Sequence, residues 1–193
     1  VIVAKAQVNE NDKNIALQLV QKNSAGIGLL QNDLDNSIIT GTYIVPGTEI
    51  RMVYLQQSLK SIPVYNQLHV LAFKNDQLVS VTGSRIAAIE QKINNDRSTP
   101  LITAVDAVQT AATESKVKIQ EMIIPVTITR AGQKMEFGKL GVSTENIYAE
   151  LLWFPVRESN EVKLVWQVFV TPKVSSDYLL IRVDANTNAV VDR

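Results

Sequence analysis

Helical spacing is the first periodic signal along the chain: Ile15, Ala16, Leu19 and Val20 fall on one face. Asn9, Asn11 and Asp12 precede them as candidate N-caps, Lys22 lies where a last turn favours a cation, and Gly26 stands beyond. The spacing predicts a short helix over about Asp12 to Lys22. From Ser37 the period becomes two. Ile38-Ile39 and Tyr43-Ile44-Val45 lead into a Pro46-Gly47 turn, and Glu49 to Gln57 follows with Ile50, Met52 and Tyr54 on one face. Val64, Leu68, Val70 and Ala72 then alternate against Tyr65, His69, Leu71 and Phe73, and Lys74-Asn75-Asp76 turns the chain into Leu78 to Val81. This pattern predicts an antiparallel meander packed on the first helix.

The pattern weakens between Ala87 and Pro100, where Asn94-Asn95-Asp96-Arg97-Ser98-Thr99-Pro100 collects turn formers and charge, so a boundary is expected there. Thr103 and Asp106 have capping-box spacing, and Val105, Val108 and Ala112 line a helical face that runs to about Ser115. Strands are predicted at Met122 to Thr129, Tyr148 to Phe154, Val162 to Thr171 and Tyr178 to Val183, separated by Ala131-Gly132, Ser159-Asn160 and Ser175-Ser176-Asp177. One helix followed by an antiparallel sheet is therefore written twice. The expected fold class is α+β, with two small units that each pack a helix on an antiparallel sheet.

Composition narrows the function. The 193 residues are 46% hydrophobic, enough for a proper core, and the 19 basic residues balance the 19 acidic ones. No electrostatic footprint for nucleic acid or an anionic membrane follows. No stretch approaches the roughly 20 apolar residues of a transmembrane helix, so a soluble protein is expected. Val1-Ile2-Val3-Ala4 before Lys5 has neither a charged leader nor a long apolar region, and reads as the start of a processed or truncated chain.

The chemical vocabulary is short. There is no cysteine, and His69 is the single histidine, so thiolate sites and a zinc site on the helical pair H-E-x-x-H cannot be assembled. A Ser-His-Asp arrangement would need His69, whose alternating neighbours Leu71 and Phe73 mark it as a structural strand residue. Glu145, Glu150, Glu158 and Glu161 offer carboxylates without a recognisable spacing, and read as a solvated face. Gly26-Ile27-Gly28 lacks the third glycine and the Lys-Ser/Thr of a phosphate loop, and is expected to end the first helix. Trp153 and Trp166 could form a carbohydrate platform, but each sits in an apolar run and reads as core. A two-part protein that binds or accompanies another molecule fits these residues better than an enzyme.

The stretch Tyr54-Leu55-Gln56-Gln57-Ser58-Leu59-Lys60-Ser61-Ile62-Pro63-Val64-Tyr65-Asn66 resembles the fungalysin/thermolysin propeptide (FTP) motif, a Tyr/Phe-x-Gln-Gln strand leading into Gly-Ile/Val-Pro-Val. Gly28-Leu29 to Asp33-Leu34, Thr40-Gly41-Thr42-Tyr43, and Asp76 to Gly83 fall where such propeptides place their helix end, first strand and closing hairpin. The second half resembles a PepSY-type module through Thr99-Pro100-Leu101-Ile102-Thr103 with Ala107, Leu151-Leu152-Trp153-Phe154-Pro155, Lys163 to Val168, and Val183-Asp184-Ala185-Asn186-Thr187. Leu59, Ser61 and Asn188 depart from the family's Tyr, Gly and Gly. Asn suits a left-handed turn and the change at 188 is mild, whereas Ser61 puts the turn geometry in question. The spacing before the Gln-Gln strand and the tail Ile86 to Ile93 favour the fungalysin branch.

The resemblance implies a cystatin-like/PepSY-like fold, with an FTP-like module over 1–93 and a PepSY-like module over 94–193. It implies the non-catalytic propeptide of a secreted zinc metallopeptidase, extracellular or periplasmic in transit. That chain would chaperone and inhibit a catalytic domain following Arg193, which would hold the zinc; no cofactor is expected in this portion. Gln57, Ile62, Pro63 and Val64 are the family-motif positions of a hairpin that could face the peptidase. From the residues alone, Gln57 could equally satisfy backbone groups, and Pro63 could end a strand. A stand-alone exported PepSY-type binding or inhibitory module is the alternative, and a hydrolase with carboxylate chemistry is a remote third.

Overall fold

In the computed structural model, which describes residues 9–93, 98–157 and 159–193, the first helix α1 spans Glu10–Lys22. Asn9 caps it, its side-chain oxygen accepting the Asn11 N–H at 3.0 Å, and Glu10, Asp12 and Lys22 complement the helix dipole. Two short helices follow, α2 at Ser24–Ile27 and α3 at Gln31–Asp35. Gly28, with φ of 82°, therefore closes α2 and not α1, which ends at Asn23. The Asn23 amide is the reason: it donates to the Leu19 and Asp76 carbonyls and accepts the Leu78 N–H, tying the helix end to a distant hairpin.

The chain divides into two compact units between Ala88 and Ile89. In the first, β1 (Ser37–Ile44), β2 (Ile50–Leu59), β3 (Ile62–Lys74) and β4 (Gln77–Gly83) pair antiparallel in sequence order. The two tight turns have both central residues at positive φ, Lys60-Ser61 at 52° and 62°, and Asn75-Asp76 at 49° and 60°. That geometry matches the right-handed twist of the flanking strands, and Asn75-Asp76 suits it. Lys60-Ser61 adopts it against the steric preference of both residues.

Ala16, Leu19 and Val20 of α1 pack on Val53, Leu55, Leu71 and Phe73, with Ile27 and Leu29 closing the cluster. Each such buried aliphatic or aromatic side chain contributes about 1.5–3 kcal/mol. Val53 lies opposite Leu71 and Arg51 opposite Phe73, and Arg51 reaches Asp12 of α1 at 3.0 Å on the same face of the sheet. Ile50, Met52 and Tyr54 do share one face as expected, but it is the face turned away from α1.

The second unit carries α4, Ala104–Glu114, whose capping box is formed: the Asp106 N–H donates to the Thr103 hydroxyl and the Thr103 N–H to the Asp106 carboxylate. Its sheet runs β5 (Thr127–Thr129), β6 (Lys134–Glu136), β7 (Tyr148–Pro155), β8 (Val162–Val170), β9 (Leu179–Asp184), β10 (Val190–Asp192), all antiparallel. Ala104, Ala107, Ala111 and Ala112 are buried, and such small side chains let α4 sit close to β7, β8 and β9. The segment after Ala88 bonds to this sheet, the Val162 N–H donating to the Lys92 carbonyl and Ile93 bridging Val162. Of the expected boundary run, Asn94 to Arg97 lies outside the described residues.

The alternation from Met122 to Thr129 predicts one long strand, yet only Thr127–Thr129 pairs. Pro125 has no N–H to offer a ladder, and Met122, Ile124, Val126 and Ile128 are left 56% to 80% exposed. The predicted strands of the second half otherwise occur within a residue or two of their expected bounds, while β6 and β10 carried too short a pattern to announce themselves. Each unit is thus one principal helix on an antiparallel sheet, and the fold is α+β. Among the described residues no helix is long and apolar enough to cross a membrane.

Replacing Ser61 by glycine relieves the left-handed strain at the β2–β3 turn. Ser61→Gly is expected to raise stability by about 0.5–1 kcal/mol, seen as a higher midpoint in thermal unfolding. A lower midpoint would mean that Ser61 makes a contact worth more than the strain.

Candidate functional site

The stretch Tyr54 to Asn66 forms the β2–β3 hairpin, and its register breaks at the two glutamines. Gln56 lies opposite Leu68 and Ser58 opposite Pro63, so Val64, Tyr65, Asn66 and Gln67 bulge out against Gln57 alone, with Asn66 at φ of 56°. A bulge leaves carbonyls without ladder partners. The Gln56 amide nitrogen meets them, 2.7 Å from the Val64 oxygen, 2.8 Å from that of Gln67 and 3.0 Å from that of Gln57. Gln57 is 2% exposed, and its side chain makes a paired contact with the backbone of Ile86, accepting the N–H and donating to the carbonyl, each at 2.8 Å. One side chain thus imitates a strand neighbour for the segment that leaves β4.

The remaining motif residues are also drawn inward. Ile62 and Val64 are each 1% exposed, and Pro63 is half-buried near the start of β3. The outward positions of this hairpin are Lys60, Ser61 and Asn66. Gln56 was not singled out in the sequence reading; its role depends on a bulge whose two sides are about ten residues apart along the chain.

His69 lies on β3 opposite Leu55 and Gly83, half-buried on the helix-covered face. Burial, and secondarily the positive charge of Arg85, lower its pKa, with the Asp33 carboxylate partly opposing them. Asp33 and Arg85 are themselves paired at 2.7 Å. Glu150 is held by Arg130 and Lys134, Glu145 and Glu161 are exposed, and Glu158 lies outside the described residues. Among the described residues no three His, Cys, Asp or Glu side chains come together as a metal site. Trp153 and Trp166 are core residues, the Trp166 indole donating to the Ile102 carbonyl at 3.1 Å. A groove of about 400 Å³ beside the start of α4 is lined by Pro100, Leu101, Gln133, Met135, Leu151 and Trp166.

A broader surface lies on the first unit. On the sheet face opposite α1, Met52, Tyr54, Leu68 and Val70 are half-buried, Ala72 sits among them, and Tyr43 is 47% exposed. Tyr43 stacks on Tyr54 with ring centroids 6.3 Å apart, and hydrogen bonding to Tyr43 raises the Tyr54 phenol above its usual pKa. Sequence patterning put Ile50, Met52 and Tyr54 on one face of one strand and Leu68, Val70 and Ala72 on one side of the next; the register that brings the two sets and Tyr43 onto a single face is a property of the fold.

No family model matches the chain, and no curated protein matches it. Among solved structures, the Bacillus megaterium YpeB C-terminal domain is similar at 10% sequence identity and a TM-score of 0.40. The match covers 97% of this chain and 66% of that one, so the chain spans less than two thirds of that structure's length.

Removing the Gln57 amide leaves the Ile86 N–H and carbonyl without their partner. Gln57→Ala is expected to lower stability by about 2–4 kcal/mol in urea unfolding; a loss under about 0.5 kcal/mol would contradict the clamp. His69 has a folded pKa below its unfolded value, so folding releases a proton and stability falls as the pH drops through and below the ordinary histidine range. Wild type should therefore lose more of its thermal midpoint between pH 7.5 and 5 than His69→Gln, and equal losses would remove His69 as the cause.

Proposed function

We propose that this chain is the non-catalytic propeptide of an exported zinc metallopeptidase, assisting the folding of the peptidase domain and holding it inactive. The observation that carries the reading is the Gln56-Gln57 pair. In the stretch that resembles the propeptide motif, both amides have defined tasks, Gln56 filling a bulge and Gln57 holding the Ile86 backbone. The two amides are therefore part of what holds this hairpin in shape, which supports reading the stretch as a structural motif. Two helix-on-sheet units in the order FTP-like then PepSY-like support the same reading.

The mechanism is thermodynamic. A partner that binds only the folded peptidase stabilises it by mass action, and covalent linkage within a precursor makes its effective concentration high. The zinc and its H-E-x-x-H helix would belong to the peptidase domain. With Gln57, Ile62 and Val64 directed inward, the β2–β3 hairpin would reach a peptidase through Lys60, Ser61, Asn66 and the partly exposed Pro63.

The test is to titrate the chain into the mature metallopeptidase of the same precursor while following hydrolysis of a generic peptide. Saturable inhibition, and recovered activity when denatured peptidase is refolded with the chain, are the expected results. Neither effect would transfer the assignment to a stand-alone exported PepSY-type module.

A further inference from the structure

The residues that follow β4 form a short strap. At Gly83, φ of 103°, β4 comes so near β3 that a Cβ would lie 1.9 Å from the Leu68 carbonyl oxygen, and there the chain leaves the sheet. Three contacts then hold it. The Ser84 N–H donates to the Leu68 carbonyl at 3.3 Å, Gln57 clamps both polar groups of the Ile86 backbone, and between them Arg85 pairs with Asp33 of α3 at 2.7 Å. That ion pair is part-buried, the Arg85 side chain being 13% exposed. The strap runs on to Ala88, where the first unit ends.

His69 stands beside the pair. It lies opposite Gly83, so Arg85, two residues further on, is its diagonal neighbour. One Asp33 carboxylate oxygen accepts the Leu30 N–H at 2.9 Å, and the other meets Arg85. A proton gained by His69 therefore puts a second cation into a half-buried site whose carboxylate is already used on both oxygens. The cross-strand neighbours Leu55 and Gly83 carry no charge. Other charges on the packed elements are committed elsewhere: Asp35 of α3 bonds Gln31, and on α1 Glu10, Asp12 and Lys22 pair with Lys13, Arg51 and Asp76.

We infer that His69, Arg85 and Asp33 form an acid-sensitive latch on the strap from Ser84 to Ala88, the covalent link between the two units. With His69 neutral, the Arg85–Asp33 pair keeps the strap down. A protonated imidazole repels the Arg85 guanidinium and competes with it for Asp33, so the pair gives way, the strap lifts from Gln57, and water reaches the new charge. Burial, and then the Arg85 charge, lower the His69 pKa against a partial opposition from Asp33. The proton is thus bound more tightly by the open form, and opening grows as the pH falls through and below the ordinary histidine range.

The test follows backbone amide hydrogen exchange at pH 7.5 and pH 5 in wild type, His69→Gln and Arg85→Gln, each rate expressed against that of the unfolded chain at the same pH. In wild type the Ser84 and Ile86 N–H groups are expected to lose protection about fivefold or more on acidification, while Val20, fully buried in α1, keeps its own. His69→Gln should hold its Ile86 protection at both pH values. In Arg85→Gln the His69 ring, followed by NMR, should titrate at higher pH than in wild type. No loss at Ile86 in wild type, or an equal loss in His69→Gln, would overturn the latch. A matching loss at Val20 would overturn it as well, because the whole unit would then be opening. An unchanged His69 titration in Arg85→Gln would do the same without relying on a folded His69 variant.

Discussion

A helix about 10 Å wide covers about two strands spaced 4.8 Å apart on one face of a sheet, and each unit of this protein has one principal helix for a sheet of four or more strands. Much follows from that mismatch. In the first unit α1 draws Val53, Leu55, Leu71 and Phe73 into a core, while Met52, Tyr54, Leu68 and Val70 on the opposite face stay half-buried. In the second, α4 lies over β7, β8 and β9, while the apolar run Met122 to Ile128 around β5 stays exposed.

Polar groups give these sheets their specificity. Asn23 binds a helix end to the β3–β4 turn, Gln56 repairs a bulge, Gln57 holds the departing chain at Ile86, and a buried Ser143-Thr171 hydroxyl pair, 2.9 Å apart, fastens a loop to the end of β8. Each of these contacts joins residues eight or more positions apart in sequence, and the loss of those at Gln56, Gln57 and Ser143 would leave part-buried or buried polar groups without a partner. Such contacts select one register among the many that the hydrophobic pattern alone would permit.

The legible features were the local ones. Period and caps disclosed α1, α4 and most strands, because a capping box such as Thr103 with Asp106 closes within four residues. Asn75-Asp76 announced its turn, and Asn188 adopts the left-handed conformation for which asparagine is suited, with φ of 62°. His69 was legible as a strand residue from its neighbours. The run from Met122 misled because alternation records where side chains point and not whether a partner strand exists.

The sequence by itself determined that this is an α+β chain of two helix-and-sheet units, with one histidine, no cysteine and a Gln-Gln stretch between two strands. Both parities of β2 and β3 are apolar, so no pattern along the chain could say which one α1 covers. The face that α1 covers is the one where Val53, Leu55, Leu71 and Phe73 meet Ala16, Leu19 and Val20, with Arg51 reaching Asp12 39 residues away. The bulge that occupies Gln56, the burial of Gln57, Ile62 and Val64, and the exposure of the Tyr43-Tyr54 face were likewise decided in tertiary structure. Periodicity and capping act over a few residues, whereas burial and register depend on which distant segments meet.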